Sequence, residues 1–267
     1  MYTLLNTVNF SGIGLHSGQS VNMKVAASRQ AGITFVLDQQ PIQAVDQYIG
    51  TNHIRSTQLN KHGLVIQTPE HFLSACYALR LTQIQVELSH YELPILDGSA
   101  QPFIDALLSN RIPISKTPVI LDVKRDLDMD NQGSRYMAMP HSDFCIHAYV
   151  SYPDHWVKSM SVQYTHSLDA YTTQIAPART YGFTHELDAL YKQGLAKGGS
   201  TDNALVITDT GYMNQPRFSD ELARHKILDF IGDLSLLGMQ LKGQFILVKP
   251  SHQGNIAFLK YLKKQLL

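Results

Sequence analysis

The longest helical pattern in the chain is SDELARHKILDFIGDLSLLG, residues 219–238. Its apolar residues recur at the spacing of one helix face, and they are Leu222, Ile227, Leu228, Ile231, Leu234 and Leu237. Polar residues follow at four-residue steps on another face, and they are Glu221, His225, Asp229 and Asp233. Gly238 is typical of a residue that ends a helix. The pattern predicts a helix from about Ser219 to Leu237, with one packed face and one row of polar groups.

A second helix is predicted to open at Thr68-Pro69-Glu70-His71. Threonine can cap the free backbone amides of a helix, and proline suits the first helical position. Apolar residues then recur at helical spacing, and they are Phe72, Leu73, Cys76 and Leu79. Glu70 and His71 should therefore lie in the first turn. The later turn Asp97-Gly98-Ser99 precedes a further helical stretch, which its serine can cap.

Short alternating stretches at residues 21–26, 83–89 and 145–150 predict half-buried strands. Together with the helices, they indicate an α+β fold. Residues 110–119 contain two prolines and few large apolar residues, as a connector between domains does. We therefore expect one domain at residues 1–114 and another at residues 115–267. Strand-rich halves of similar length would also permit a distant internal duplication.

The composition of this 267-residue chain excludes several classes of protein. Lysine plus arginine balances aspartate plus glutamate at 22 each, so a binder of nucleic acid or of an anionic membrane is not expected. Cys76 and Cys145 are too few for a disulfide framework, which favours a reducing compartment. Residues 1–12 lack a signal-peptide pattern, and no apolar run is long enough for a transmembrane helix. We expect a cytoplasmic protein, which would take any lipid substrate from a membrane surface or a soluble carrier.

His225 and Asp229 are one helical turn apart, so both can bind the same cation. Taken alone, such a pair is more often a solvated ion pair. A catalytic zinc site needs a third protein ligand, for which His71 is the best candidate because Glu70 beside it could act as a base. The alternative for these two residues is a glutamate that favours the helix dipole and a surface histidine.

Seven motifs occur in order along nearly the whole chain, and they are GIGLHSG at 12–18, TPEH at 68–71, PILDGSAQPF at 94–103, ARTYGF at 178–183, GGSTDNA at 198–204, RHKILDFIGDL at 224–234 and SHQGN at 251–255. In these motifs the chain resembles the UDP-3-O-acyl-N-acetylglucosamine deacetylases. The resemblance implies two α+β domains of related topology, each a sheet layer on a helix layer. The active site would lie between the facing helices.

The resemblance also implies a zinc-dependent hydrolase of lipid A biosynthesis. Zn²⁺ would be bound by His71, His225 and Asp229, with Glu70 as the general base that deprotonates water. The hydroxyl of Thr180 and a protonated His252 would stabilise the tetrahedral intermediate, and Asp233 would hold the ring of His252 in place. The products would be acetate and the free amine of the UDP-linked acyl-glucosamine.

Several residues are expected to contact that substrate. By resemblance, Lys226 faces the diphosphate, and Tyr181 of the ARTYGF motif also belongs to the substrate site. His16 is a candidate for the same phosphates, with a structural role in its glycine-rich turn as the alternative. The segment 183–206 is expected to include an inserted unit that forms a passage for the acyl chain. Its candidate lining residues are Leu187, Ala204 and Val206, which could instead pack the core of that unit.

The chain departs from the family at three places. Pro69 replaces a usual valine, which leaves the Glu-His geometry intact. Residues 151–159 differ from the usual His-Pro pattern, and Thr201 replaces a larger apolar residue. These changes leave open a deacetylase for a different acylated amino sugar, or a silent zinc- and nucleotide-sugar-binding regulator. The sequence does not determine the preferred acyl length, the oligomeric state, or whether zinc or iron is bound in the cell. Surface or structural roles are expected for His53, His62, His90 and His185.

Overall fold

A computed structural model describes residues 1–51 and 53–267. The predicted α+β class is confirmed, because a five-stranded sheet and a six-stranded sheet pack on helices. The elements of the first half are β1 (Tyr2–Leu4), β2 (Val8–Ile13), β3 (Ser20–Ala27), β4 (Ile33–Leu37), β5 (Gln40–Gln43), β6 (Gln58–Lys61), β7 (Leu64–Gln67), α1 (Glu70–Ala78), β8 (Ile84–Leu88), α2 (Gln101–Leu108) and β9 (Arg111–Pro113).

The second half follows directly. Its elements are β10 (Ile120–Asp122), β11 (Leu127–Asn131), β12 (Ser134–Met139), β13 (Phe144–Tyr152), β14 (Lys158–Thr165), α3 (Leu168–Ala170), β15 (Tyr181–Phe183), α4 (Leu187–Lys192), β16 (Leu205–Ile207), α5 (Glu221–Leu234), β17 (Gln240–Val248) and α6 (His252–Leu266). No helix in the described ranges has the length and apolar character needed to cross a bilayer.

The two halves repeat one strand order. The first sheet runs β2-β3-β8-β4-β5 and the second runs β11-β12-β17-β13-β14, with β10 paired in parallel to β17 as a sixth strand. In each sheet the last strand of the sequence enters the middle, where it pairs antiparallel with the second strand and parallel with the third. Each half also places one helix before that strand and one after it, α1 and α2 in the first and α5 and α6 in the second. The topology therefore supports the internal duplication that the strand-rich halves permitted.

Alternation of side chains explains why each sheet covers one layer of helices. Along β3 and β17, buried residues alternate with more exposed ones, as expected when one face packs on a core. The predicted strands at 21–26, 83–89 and 145–150 are confirmed as parts of β3, β8 and β13. Phe72 of α1 packs edge-on against Phe35 and Phe103, so strand, helix and neighbouring helix share one aromatic core.

Helices α1 and α5 pack directly on each other and hold the residues of the site. All nine residues of α1 are buried, including Glu70 and His71 in its first turn. A Cβ on Gly232 of α5 would collide with the backbone carbonyl of Glu70. Only a hydrogen fits there, so this glycine sets how closely the two helices approach.

The predicted helix boundaries need two corrections. The threonine cap is wrong: α1 begins at Glu70 after Pro69, and the hydroxyl of Thr68 donates to Glu92 instead. Thr68 has a positive φ of 57°, which turns the chain sharply into the helix. The α-helical part of the second predicted helix is shorter than expected, because α5 ends at Leu234 and a 3₁₀ turn, Ser235–Leu237, completes it.

The ends of two helices match their predictions. Gly238 ends the 3₁₀ turn with a φ of 70°, in the left-handed region expected for such a glycine. Ahead of α2, Ser99 Oγ accepts a hydrogen bond from Gln101 N–H and donates one to Asp97. The serine therefore satisfies a free amide in the first turn, although Ala100 is the residue that directly precedes the helix.

An inserted unit lies between β14 and α5. It contains β15, the 3₁₀ turn Thr184–Glu186, α4 and β16, and β15 pairs in parallel with β16. The equivalent point of the first half, between β5 and α1, carries the β6–β7 hairpin. Both insertions therefore leave their sheets at the same place in the repeated topology.

Candidate active site

Six titratable side chains converge where the first turns of α1 and α6 meet the polar face of α5. They come from parts of the chain that are far apart in sequence. Each side chain is at most 7% exposed, and the residues are Glu70, His71, His225, Asp229, Asp233 and His252. So many charged groups are rarely buried together without pairing or binding a cation, which identifies the cluster as a candidate site.

Two imidazoles and one carboxylate in this cluster are arranged as metal ligands. Asp229 Oδ1 lies 3.2 Å from His225 Nε2 and 3.6 Å from His71 Nε2. Ligand atoms on a tetrahedral zinc ion, at bonds of about 2.1 Å, lie about 3.4 Å apart. The three side chains are thus spaced as the ligands of one zinc ion would be.

The hydrogen bonds around these atoms also fit a cation. His225 Nδ1–H donates to the carbonyl of Ala178 over 3.1 Å, which leaves the Nε2 lone pair directed at Asp229. Asp229 Oδ1 is buried and has no hydrogen-bond partner within residues 1–51 and 53–267. Burial lowers the pKa of His225 to about 3, so its ring is neutral and able to bind a metal. Two nitrogen donors and one oxygen donor suit catalytic Zn²⁺.

Glu70 is placed to exchange a proton. Its Oε2 accepts a hydrogen bond from Thr57 N–H over 3.2 Å, and its Oε1 lies 3.8 Å from His252 Nε2. Burial raises the pKa of Glu70 to about 7, against the opposing charges of His252 and His71. A carboxyl group with a pKa near neutrality can both accept and release a proton at physiological pH.

His252 is held by a buried hydrogen-bond network around Asp233. Its Nδ1–H donates to Asp233 Oδ2 over 2.9 Å, and Asn255 Nδ2 donates to the same oxygen over 2.8 Å. The hydroxyl of Thr57 donates to the other carboxylate oxygen. With three donors, Asp233 is fixed in place, and it fixes the imidazole in turn.

Charge governs the protonation of His252. Burial alone would lower its pKa, but the carboxylates of Asp233, Asp229 and Glu70 outweigh that effect and raise the pKa to about 9. The ring is therefore an imidazolium at neutral pH. Its free Nε2–H points into the site, between Glu70 Oε1 at 3.8 Å and Asp229 Oδ2 at 3.6 Å.

Lys226 and Tyr181 lie beside the candidate ligands. Lys226 Nζ donates to Asp229 Oδ2 over 2.8 Å and lies 5.3 Å from the centre of the Tyr181 ring. The hydroxyl of Tyr181 is hydrogen-bonded to that of Tyr152 at 2.6 Å. Burial would lower the pKa of Lys226, but Asp229 raises it above the ordinary value, so the lysine stays charged. One cation and one aromatic wall thus flank the cluster.

A cavity of about 380 Å³ opens onto this cluster. The three candidate ligands line it together with Glu70, Thr180, Tyr181, Lys226 and His252. Asp233 does not line the cavity but accepts a hydrogen bond from His252, which does. The cavity therefore brings together eight of the thirteen residues selected from the sequence.

A second, smaller cavity of about 140 Å³ adjoins the first, since Leu15, Arg55, Thr180 and Tyr181 line both. Its wall is largely apolar and includes the three residues expected to line an acyl passage, Leu187, Ala204 and Val206. His16 lines this smaller cavity but does not line the first cavity. Burial lowers the pKa of His16, so its ring is neutral.

Comparison with known proteins agrees with this geometry. The family model described as UDP-3-O-acyl N-acetylglycosamine deacetylase matches residues 1–264. The chain belongs to this family. Among its relatives, a UDP-3-O-acyl-N-acetylglucosamine deacetylase of Thermodesulfovibrio yellowstonii is 35% identical, over 97% of this chain and 90% of its own length. The one of Chromohalobacter salexigens is 38% identical, over 98% and 90%. The one of Oleidesulfovibrio alaskensis is 34% identical, over 98% and 88%.

Several residues that support the deacetylase site were not selected from the sequence. Thr57 bonds both Glu70 and Asp233 but lies in a loop without periodic pattern. Glu92 accepts the backbone N–H groups of residues 16 and 17 over 2.7 Å each, and so holds the glycine-rich turn of GIGLHSG against the first sheet. Asn255 could have been found, because it lies one helical turn after Ser251 in the SHQGN motif.

A buried ion pair positions the ARTYGF motif of the family. Arg179 Nε donates to Glu221 Oε1 over 2.9 Å, and the two side chains are 8% and 1% exposed. Arg179 N–H donates to the same oxygen over 3.0 Å. Glu221 lies on the polar face of α5, so the pair ties the segment that carries Thr180 and leads into β15 to a helix that carries two of the candidate ligands.

Proposed function

We propose that this chain removes the N-acetyl group of UDP-3-O-acyl-N-acetylglucosamine, giving UDP-3-O-acyl-glucosamine and acetate, a step of lipid A biosynthesis. The observation that carries the proposal is the convergence of His71, His225 and Asp229 beside Glu70 in one buried cluster. The activity named for the relatives, over nearly the whole length of the chain, supports the substrate.

Zn²⁺ held by His71, His225 and Asp229 is the cofactor in this proposal. Support comes from the buried donor set, from the free Nε2 of His225 and from the unpartnered Oδ1 of Asp229 among the described residues. A bound Zn²⁺ supplies Lewis-acid polarisation of the amide carbonyl and a water of lowered pKa. Iron suits similar ligands, so metal content of the purified protein distinguishes the two.

Glu70 accepts the proton of the attacking water. Its Oε2 is engaged by Thr57 N–H, which leaves Oε1 to receive the proton as the water oxygen bonds to the carbonyl carbon. The pKa of about 7 allows this carboxylate to act as a base at neutral pH without holding the proton permanently.

His252 supplies positive charge and then a proton. Its imidazolium stabilises the negative oxygen that develops when the carbonyl is attacked, and the Thr180 hydroxyl is proposed as a second donor. When the C–N bond breaks, Nε2–H of His252 protonates the departing amine, and acetate is released. Asp233 keeps Nδ1 protonated and the ring oriented throughout.

The two adjoining cavities suggest how the substrate lies. We assign the acyl chain to the apolar cavity of Leu187, Ala204 and Val206, and the sugar to the junction at Thr180 and Tyr181. Lys226 is proposed to meet the diphosphate with its positive charge. His16 is neutral and lies in the wall of the apolar cavity. We therefore expect its side chain to contact the acyl chain rather than the phosphates.

The domain division and the location of the enzyme are part of the same proposal. Residues 1–114 and 115–267 are proposed as the two domains, since the first contains the complete five-stranded sheet and the second the complete six-stranded sheet, each with its two helices. A cytoplasmic location is proposed, in keeping with the two free thiols of Cys76 and Cys145.

Acetate release from UDP-3-O-acyl-N-acetylglucosamine tests the proposal. Glu70→Gln and His71→Ala should each abolish release, whereas the matched control Glu87→Gln, at a 44% exposed surface pair with Lys24, should keep it. Unchanged release by both site variants would refute the mechanism. Tight binding of the UDP-sugar without acetate would instead favour a silent regulator, and faster release from another acylated amino sugar would correct the substrate.

A further inference from the structure

Three potential metal ligands lie together outside the deacetylase site. His155 is in the turn between β13 and β14, His185 is in the 3₁₀ turn of the inserted unit, and Asp209 follows β16. One ligand atom from each lies within 4.8 Å of the others. His185 Nδ1 is 3.8 Å from Asp209 Oδ1, and the two imidazole rings are 6.0 Å apart at their centres. The cluster contains no residue of the catalytic set.

One ligand atom of this cluster lacks a partner although it is buried. Within the described ranges, His155 Nε2 has no hydrogen-bond partner and almost no contact with solvent. A buried polar atom left without a partner costs free energy, unless an unseen group binds it. The other ring nitrogen, Nδ1, accepts a hydrogen bond from Val157 N–H over 3.4 Å. This hydrogen bond is long and therefore weak, so little is lost if it breaks when a cation binds Nε2.

The surroundings hold the histidine of the hairpin turn in position. The ring of His155 packs on Phe183 with centres 4.9 Å apart. Trp156 Nε1–H, next in sequence, donates to the carbonyl of Thr208 over 2.7 Å, which joins the turn to the residue before Asp209. The chain segments that carry His155 and Asp209 are therefore joined by a contact that does not depend on a metal.

Two of the three ligand side chains are exposed and can move toward a cation. The side chains of His185 and Asp209 are 54% and 79% exposed, so small rotations bring their donor atoms inward. Ligand atoms of a tetrahedral ion are about 3.4 Å apart, which requires shifts of about 1 Å from the present spacing. Two imidazoles and a carboxylate select Zn²⁺, Co²⁺ or Ni²⁺ over Mg²⁺ and Ca²⁺, which prefer oxygen ligands.

We propose that His155, His185 and Asp209 form a second divalent-cation site at the edge of the inserted unit. The cation ties the β13–β14 turn of the second sheet to the unit that carries Leu187 of the apolar cavity. His155 lies in residues 151–159, where the sequence is expected to depart from the family pattern. The second site shares no ligand with the catalytic set. The proposal of this site can therefore be tested separately from the proposed deacetylase function.

Zinc content of the full chain tests the proposal. After dialysis against micromolar Zn²⁺, the unchanged protein should bind about two equivalents, His185→Gln and Asp209→Asn about one, and the exposed-histidine control His62→Gln about two. Both site variants alter exposed side chains, so each should fold, which its thermal unfolding without added metal verifies. Two equivalents in His185→Gln, or one in the unchanged protein, would overturn the proposal.

Titration with Co²⁺ separates the two sites by a signal other than activity. The visible absorption of tetrahedral Co²⁺ should saturate in two steps in the unchanged protein and in one step in His185→Gln. His71→Gln should retain the step that His185→Gln loses. An identical titration curve for His185→Gln and the unchanged protein would show that this cluster binds no cation.

Discussion

Gly232→Ala should separate the two helices that carry the site. The new Cβ would lie on the backbone carbonyl of Glu70, and α1 would have to move by about 1 Å to restore normal contact. Such overpacking lowers the free energy of unfolding by about 1–3 kcal/mol. The higher helix propensity of alanine offsets about 1 kcal/mol of that loss. A displacement of about 1 Å at catalytic groups lowers the rate by about 100-fold.

The assay is kcat/KM for acetate release, measured together with zinc content and the free energy of unfolding. We expect Gly232→Ala to unfold at nearly normal denaturant concentration and yet to lose about 99% of its activity. Gly211→Ala is the matched control, because a Cβ there meets no atom of the described residues within 4 Å. Full activity with normal zinc content in Gly232→Ala would refute the idea that this glycine sets the helix separation.

Two further predictions concern charge in the site. The plot of kcat/KM against pH should rise as Glu70 loses its proton, with a pKa of about 7, and fall as His252 loses its own, with a pKa of about 9. A bound cation favours the deprotonated form of both groups, so the two pKa values measured from the rising and falling parts of the plot should be at or below about 7 and about 9. A rate that does not change with pH would contradict the assigned roles. Arg179→Met should lower the free energy of unfolding by about 3–5 kcal/mol, because it leaves the Glu221 carboxylate buried and unpaired. Denaturant titration checks this, and Arg179→Met with Glu221→Met in one chain should recover much of the loss.

The sequence was informative where periodicity and chemistry coincide. The stripe and polar row of residues 219–238 predicted α5 and the common face of His225, Asp229 and Asp233. The strands at 21–26, 83–89 and 145–150 were visible because each sheet has one buried face. The resemblance supported His71 and brought in His252, which lie 154 and 27 residues from His225 by sequence number and which no local pattern could join to it.

Other features depend on long-range packing and could not be read locally. Helix α1 was predicted, but its burial on every side was not visible in its local pattern, and the left-handed Thr68 that precedes it was mistaken for a cap. The entry of β8 and β17 into the middle of their sheets is set by pairing between distant strands. Thr57 acquires its contact with Asp233 only after the two halves of the chain meet.

The repeated strand order gives α1 and α5 equivalent places in the two halves, and they face each other across the catalytic cluster. Two copies of a half-length chain would present identical groups from both sides, related by a twofold axis. A sugar nucleotide has no such axis, and neither does the transfer of a proton from water to an amine. In one polypeptide the two helices carry different groups: the proposed base, Glu70, comes from α1, and the proposed ligand, Asp229, comes from α5.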